Sequence, residues 1–242
     1  MGRVGTSGLA CLLLIAACGE NAKEEDPARQ RLRTEVLTVR DALRTQPDSP
    51  ILYYQLGQIY RKYGVADSAR IALERCINLH PAFPQAHQQL AQVYFDAGDL
   101  QRSEKAWATT ARLVPDNMEA WNNLGYVRRQ LGNLSGAEQA YKAALGIDSL
   151  FAETLSNLGQ VYREQTRWDV ATEHFHKAMA ADPTFRGAYI NLARLYQDRG
   201  DESAERQLLN EIQERFGRTS REGRYASLRL EELASETAAA GD

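Results

Sequence analysis

Apolar residues recur along this chain with the spacing of amphipathic helices, and then recur again on a longer period. Between residues 28 and 45, Leu32, Val36, Val39, Ala42 and Leu43 fall on one face of a helix that ends before Pro47 and Pro50. From there a step of 34 residues returns the same side-chain types: Leu56, Leu90, Leu124, Leu158 and Leu192, each followed by Gly57, Ala91, Gly125, Gly159 or Ala193. Three residues further on stand Tyr60, Tyr94, Arg128, Tyr162 and Tyr196. The second half of the period repeats as well, with Ala69, Ser103, Ala137, Ala171 and Glu205, then Leu73, Trp107, Tyr141, Phe175 and Leu209. Turn residues close four units at Pro81, Pro115, Pro183 and Gly217, with Ser149 as the exception. Five in-register copies without insertions predict a stack of helix pairs in which each unit buries its apolar face against its neighbours.

Period and residue types together resemble tetratricopeptide repeats. The resemblance covers units 50–83, 84–117, 118–151, 152–185 and 186–219 and implies an all-α, right-handed α-solenoid. A helix over 31–49 caps the N-terminal end. A last helix carrying Tyr225, Leu228, Leu230 and Leu233 caps the C-terminal end within 220–242, with residues 235–242 expected to fray. Gly or Ala at position 8 and a small residue at position 20 let two helices approach closely, while the large side chains fill the space between units. Arg128 in place of tyrosine and Glu205 in place of a small residue are departures that are expected to weaken their units, so the fifth unit is expected to pack loosely.

Composition agrees with helices. Ala (34) and Leu (28) far outnumber Val (9) and Ile (8), and prolines number only 7 in 242 residues; straight-chain and methyl side chains keep their freedom in helices, whereas β-branched ones favour strands. A net charge of −3 argues against a nucleic-acid partner, which needs a basic surface to neutralise phosphates. Catalytic signatures are missing: there is no Gly-rich phosphate loop, no H-E-x-x-H and no G-x-S-x-G. His174 and His176 are two apart on a helix and point away from each other, so they do not form a metal pair, and Cys76 falls at a packing position where a buried, inert thiol is expected. A non-enzymatic chain without cofactor, metal or small-molecule substrate is the expectation.

The first eighteen residues read differently. Arg3 precedes a nine-residue apolar run from Leu9 to Ala17, about 13 Å of helix and far short of a ~30 Å hydrocarbon core. It ends in Ile15-Ala16-Ala17-Cys18, which resembles the lipobox of bacterial lipoproteins. That resemblance implies cleavage before Cys18, acylation of Cys18, a polar tether over 19–30 and attachment to a membrane facing the periplasm; Gly19 rather than Asp favours the outer membrane.

At 100° per residue, positions 4, 7, 8 and 11 of each unit share the core face of the first helix, and positions 2, 5, 6, 9 and 12 lie opposite. In the repeat family the opposite side lines the concave surface. Position 6 is a carboxamide in every unit: Gln55, Gln89, Asn123, Asn157 and Asn191. Gln58, Gln92 and Gln160 at position 9, and Gln88 and Asn122 at position 5, extend the set. A carboxamide both donates and accepts, so one per unit suits an extended peptide backbone. The ladder resembles that in the repeat domain of O-linked N-acetylglucosamine transferases; a purely structural Asn, common in consensus repeats, is the alternative. Arg61, Arg129 and Arg163 at position 12 and Arg194 at position 9 join Tyr54, Phe95 and Tyr126, suggesting a bound segment of acidic or C-terminal carboxylate character. The two-carboxylate clamp of chaperone-binding repeats is not clearly reproduced. Lipobox, length and repeat number also resemble lipoproteins that assist type IV pilus secretin assembly, and repeat lipoproteins that adapt peptidoglycan hydrolases.

Overall fold

The computed structural model describes residues 26–240, and the lipobox reading with Cys18 lies outside them. Among the described residues the chain forms only helices and turns. Helix α1 (Pro27–Thr45) is followed by five helix pairs: α2 (Pro50–Lys62) with α3 (Ala66–Leu79), α4 (Pro84–Asp96) with α5 (Leu100–Leu113), α6 (Met118–Gln130) with α7 (Leu134–Ile147), α8 (Ala152–Glu164) with α9 (Trp168–Ala181), and α10 (Arg186–Arg199) with α11 (Glu202–Phe216). Helix α12 (Arg221–Ala240) packs on α11. First helices of neighbouring units meet at α2–α4, α6–α8 and α8–α10, whereas second helices do not approach as closely, so the array curves with the first helices inside.

The core is a chain of local clusters rather than one centre. Leu73, Tyr141 and Phe175 project from the second helices with no exposure. They sit against Gly57, Gly125 and Gly159, where an added Cβ would come within 2.6–2.7 Å of those side chains. Position 8 therefore has no room for a methyl group in these units, which is why the period carries glycine there. Inside each pair the turn needs one left-handed residue: Gly64, Gly98, Gly132 and Gly200 take φ of +72° to +77°, and Thr166 takes the same place in the fourth unit at φ +59°.

Four sequence expectations change. Helix α1 starts at Pro27, inside the segment read as a tether, because Pro at the first helical position and the Asp26 carboxylate, which accepts from the Ala28 amide, make a ready start. Arg128 does not weaken its unit: its Nε donates to Glu104 Oε1 at 2.9 Å, reaching back to the preceding unit as Tyr94 reaches Glu74 (2.7 Å) and Tyr162 reaches Glu138 (3.1 Å). Glu205 is 1% exposed and paired with Arg229 of α12 at 2.8 Å, so the fifth unit is clasped, not loose. At the C-terminal end α12 continues to Ala240, past the point where fraying was expected, and Leu228 is 62% exposed while Ala226 and Leu233 make the buried contacts.

Candidate inner-face binding site

The residues that line the inner face divide into braces and free groups. Position 6 of one unit reaches position 5 of the unit before it: Asn157 Nδ2 donates to Asn122 Oδ1 at 3.4 Å, and Asn191 Nδ2 donates to Ser156 Oγ at 3.1 Å. Asn122 is buried; its Oδ1 also accepts from Thr154 Oγ1 at 2.8 Å and its Nδ2 donates to Glu153 Oε1 at 3.4 Å. Gln160 Nε2 adds a 3.5 Å contact to Asn157 Oδ1. Asn122, Asn157 and Asn191 thus hold units 3, 4 and 5 to one another. The C-terminal half of the ladder is thus engaged in contacts between units.

The N-terminal half is more open. Gln55 is exposed, and the side chains of Gln55, Gln88 and Asn123 make no hydrogen bond to another described residue. Gln58 donates to the Tyr54 hydroxyl at 3.0 Å, Tyr54 packs on Phe83 with ring centroids 5.1 Å apart, and Gln92 donates to Asp96 Oδ1 at 2.7 Å. Gln89 Oε1 accepts from Arg61 Nη1.

The arginines are less available than the sequence suggested. Arg129 Nη1 pairs with Glu164 at 2.7 Å and Arg163 Nε with Asp198 at 2.6 Å, each reaching an acid 35 residues on, one unit away. The side chains of Arg129 and Arg163 are 14% and 26% exposed, so these rungs are partly shielded from solvent. Half the expected cationic surface is therefore cancelled inside the chain, and the case for an acidic bound segment falls with it. Arg194 remains exposed.

Between units 2 and 3 the inner face opens into a cavity of about 250 Å³ with Phe95, Trp107 and Tyr126 as walls and Gln92, Asn123 and Glu153 at its polar edges. Trp107 is 2% exposed and forms the floor; Phe95 and Tyr126 meet edge to face at 5.6 Å. Sequence reasoning placed Trp107 in the core and passed over Glu153 although position 2 belongs to the inner face. An unmatched charge at that position was the available signal.

Away from this face, burial perturbs Cys76 and His174. The Cys76 thiol is fully buried and pushed up to about 11 by burial, which keeps it protonated and unreactive. Burial also lowers the His174 pKa, with Nδ1 held 2.8 Å from the Val170 carbonyl oxygen. Among the described residues no His, Cys, Asp and Glu side chains gather as a metal site, and no helix is long and apolar enough to cross a membrane.

Comparison with known folds places this geometry. The chain is similar to MamA (21% identity over 70% of this chain and 92% of that one, TM-score 0.66). It is also similar to YrrB, described as a tetratricopeptide protein with an unusual peptide-binding site (14%, 80% and 97%, TM-score 0.67), and to PilF of Pseudomonas aeruginosa (12%, 83% and 91%, TM-score 0.64). No curated protein matches the sequence. A family model described as the cilia and flagella-associated protein 70 C-terminal domain matches residues 1–228, and the chain therefore belongs to that family of tetratricopeptide-repeat proteins.

Proposed function

We propose that the chain is a scaffold that holds an extended segment of another protein along the inner face of its five units, and that Cys18 anchors it to a membrane on the periplasmic side of a bacterial envelope. The observation that carries the binding role is the free polar row Gln55, Gln88 and Asn123 leading into the Phe95–Trp107–Tyr126 cavity. Polar groups with no partner in the fold are spaced one unit apart there, so that each can meet a backbone amide at about every third residue of an extended chain. The fold likeness to YrrB, itself described as peptide-binding, supports the same reading. No constellation of nucleophile, base and oxyanion donors accompanies the cavity, which favours binding over catalysis.

The test is a crosslinked pulldown from native membranes comparing wild type with Gln88→Ala/Asn123→Ala. Loss of a discrete partner is expected, and recovery at wild-type level would refute the binding role. For the anchor, Cys18→Ser should release the protein into the soluble fraction; continued membrane association would refute it. The narrower pathways suggested by the sequence, pilus secretin assembly or adaptation of a peptidoglycan hydrolase, are separated by the identity of the recovered partner.

A further inference from the structure

The cavity between units 2 and 3 has a chemistry that specifies more than a peptide backbone. Its three aromatic walls present π-faces and edges to a space of about 250 Å³, the size of one long side chain and too small for a helix. One carboxylate, Glu153, lines it, and no lysine or arginine does. Among the described residues Glu153 receives only the 3.4 Å contact from the neutral Asn122 amide. The Arg129 guanidinium lies 5.6 Å from the Tyr126 ring centroid, and its charge is already matched by Glu164 at 2.7 Å. Arg61 is held by Gln89, one turn before Gln92 on α4. The lining thus carries one carboxylate and no cationic side chain, in a pocket walled by aromatic rings.

Resting on the scaffold reading above, we propose that this cavity takes an arginine side chain of the bound segment. Its guanidinium packs against the aromatic walls, donates to the Glu153 carboxylate and offers a further N–H to Asn123 Oδ1. A planar cation with a forked set of donors satisfies aromatic face and carboxylate together, which a lysine ammonium does less well and an acidic or apolar side chain not at all. The inner face therefore selects a segment with a basic residue at one fixed place, the reverse of the acidic segment suggested by counting its arginines.

The experiment is selection of a phage-displayed random dodecapeptide library on the full chain, followed by anisotropy titration of the recovered peptides against wild type, Glu153→Gln, Glu153→Lys and Asn123→Ala. Circular dichroism melts verify that each variant folds; Glu153 is exposed and loses only a 3.4 Å contact. The expected result is a motif with arginine at one position, an affinity loss on the order of tenfold with Glu153→Gln, and an acidic residue at that position when Glu153→Lys is the bait. A motif with no basic position, or arginine-bearing peptides that bind Glu153→Gln as tightly as wild type, overturns the arginine pocket while leaving the scaffold reading intact, provided that Asn123→Ala still weakens them. Failure to recover any peptide sensitive to Asn123→Ala overturns both.

Discussion

At the scale of single residues, the chain shows where a repeat tolerates variation and where it does not. Thr166 holds the left-handed turn that glycine holds in the other four units, and a left-handed conformation costs a residue with a Cβ about 1–2 kcal/mol. Thr166→Gly is therefore expected to raise the stability by about 1 kcal/mol, read as an upward shift in the denaturation midpoint; an unchanged or lower midpoint would show that the turn is not strained. His174 makes a second prediction. Burial lowers its folded pKa below the ordinary value near 6.5, so the unfolded chain binds the extra proton first and stability falls as the pH drops through and below about 6.5. His174→Gln should flatten that slope in urea midpoints measured from pH 7.5 to 5. Residue identities made the tight glycine contacts legible in the sequence, because a large side chain recurs sixteen residues after each small one. The strained threonine was not legible as such, since a turn that usually takes glycine looks like any polar loop until its φ is known.

At the scale of helices, the joints between units depend on pairs 20 to 36 residues apart, and these were the hardest to read. Glu205 and Arg128 looked like faults because each was compared with its own position in other units. Both are halves of pairs whose other halves, Arg229 and Glu104, lie on a neighbouring helix. Removing one half of a buried pair leaves a charge without a partner. Arg229→Ala, which strands Glu205 at 1% exposure, is expected to cost about 3–5 kcal/mol and to detach α12. Glu205→Ala/Arg229→Leu restores the small residue and removes both charges, and should cost clearly less than Arg229→Ala alone. Equal losses for the two variants would mean that the pair is not what fastens α12. The same reasoning divides the carboxamide ladder. Asn157 and Asn191 are braces, so replacing them with Ala should lower stability by about 1 kcal/mol each, whereas Asn123→Ala should leave the melting temperature unchanged.

For the molecule as a whole, thirty-four-residue periodicity was enough to give the fold, because each unit buries its apolar face only against its neighbours and no long-range topology has to be guessed. The same periodicity located the inner face but not its character. Which carboxamides and arginines remain free depends on contacts across units, and those follow from the rotation between helix pairs rather than from any single unit's sequence. With Arg129 and Arg163 tied to Glu164 and Asp198, the inner face keeps the exposed Arg194 and a polar row that ends in an aromatic pocket edged by Glu153. The most direct test is photocrosslinking in the native host from a benzoylphenylalanine placed at Gln88 on the inner face, with Ile71, which is 58% exposed on an outer helix, as the control position. A discrete protein adduct from position 88 that is absent from position 71 is the result expected of a scaffold that binds through its first helices. Adducts from position 71 alone, or none from position 88, would contradict it.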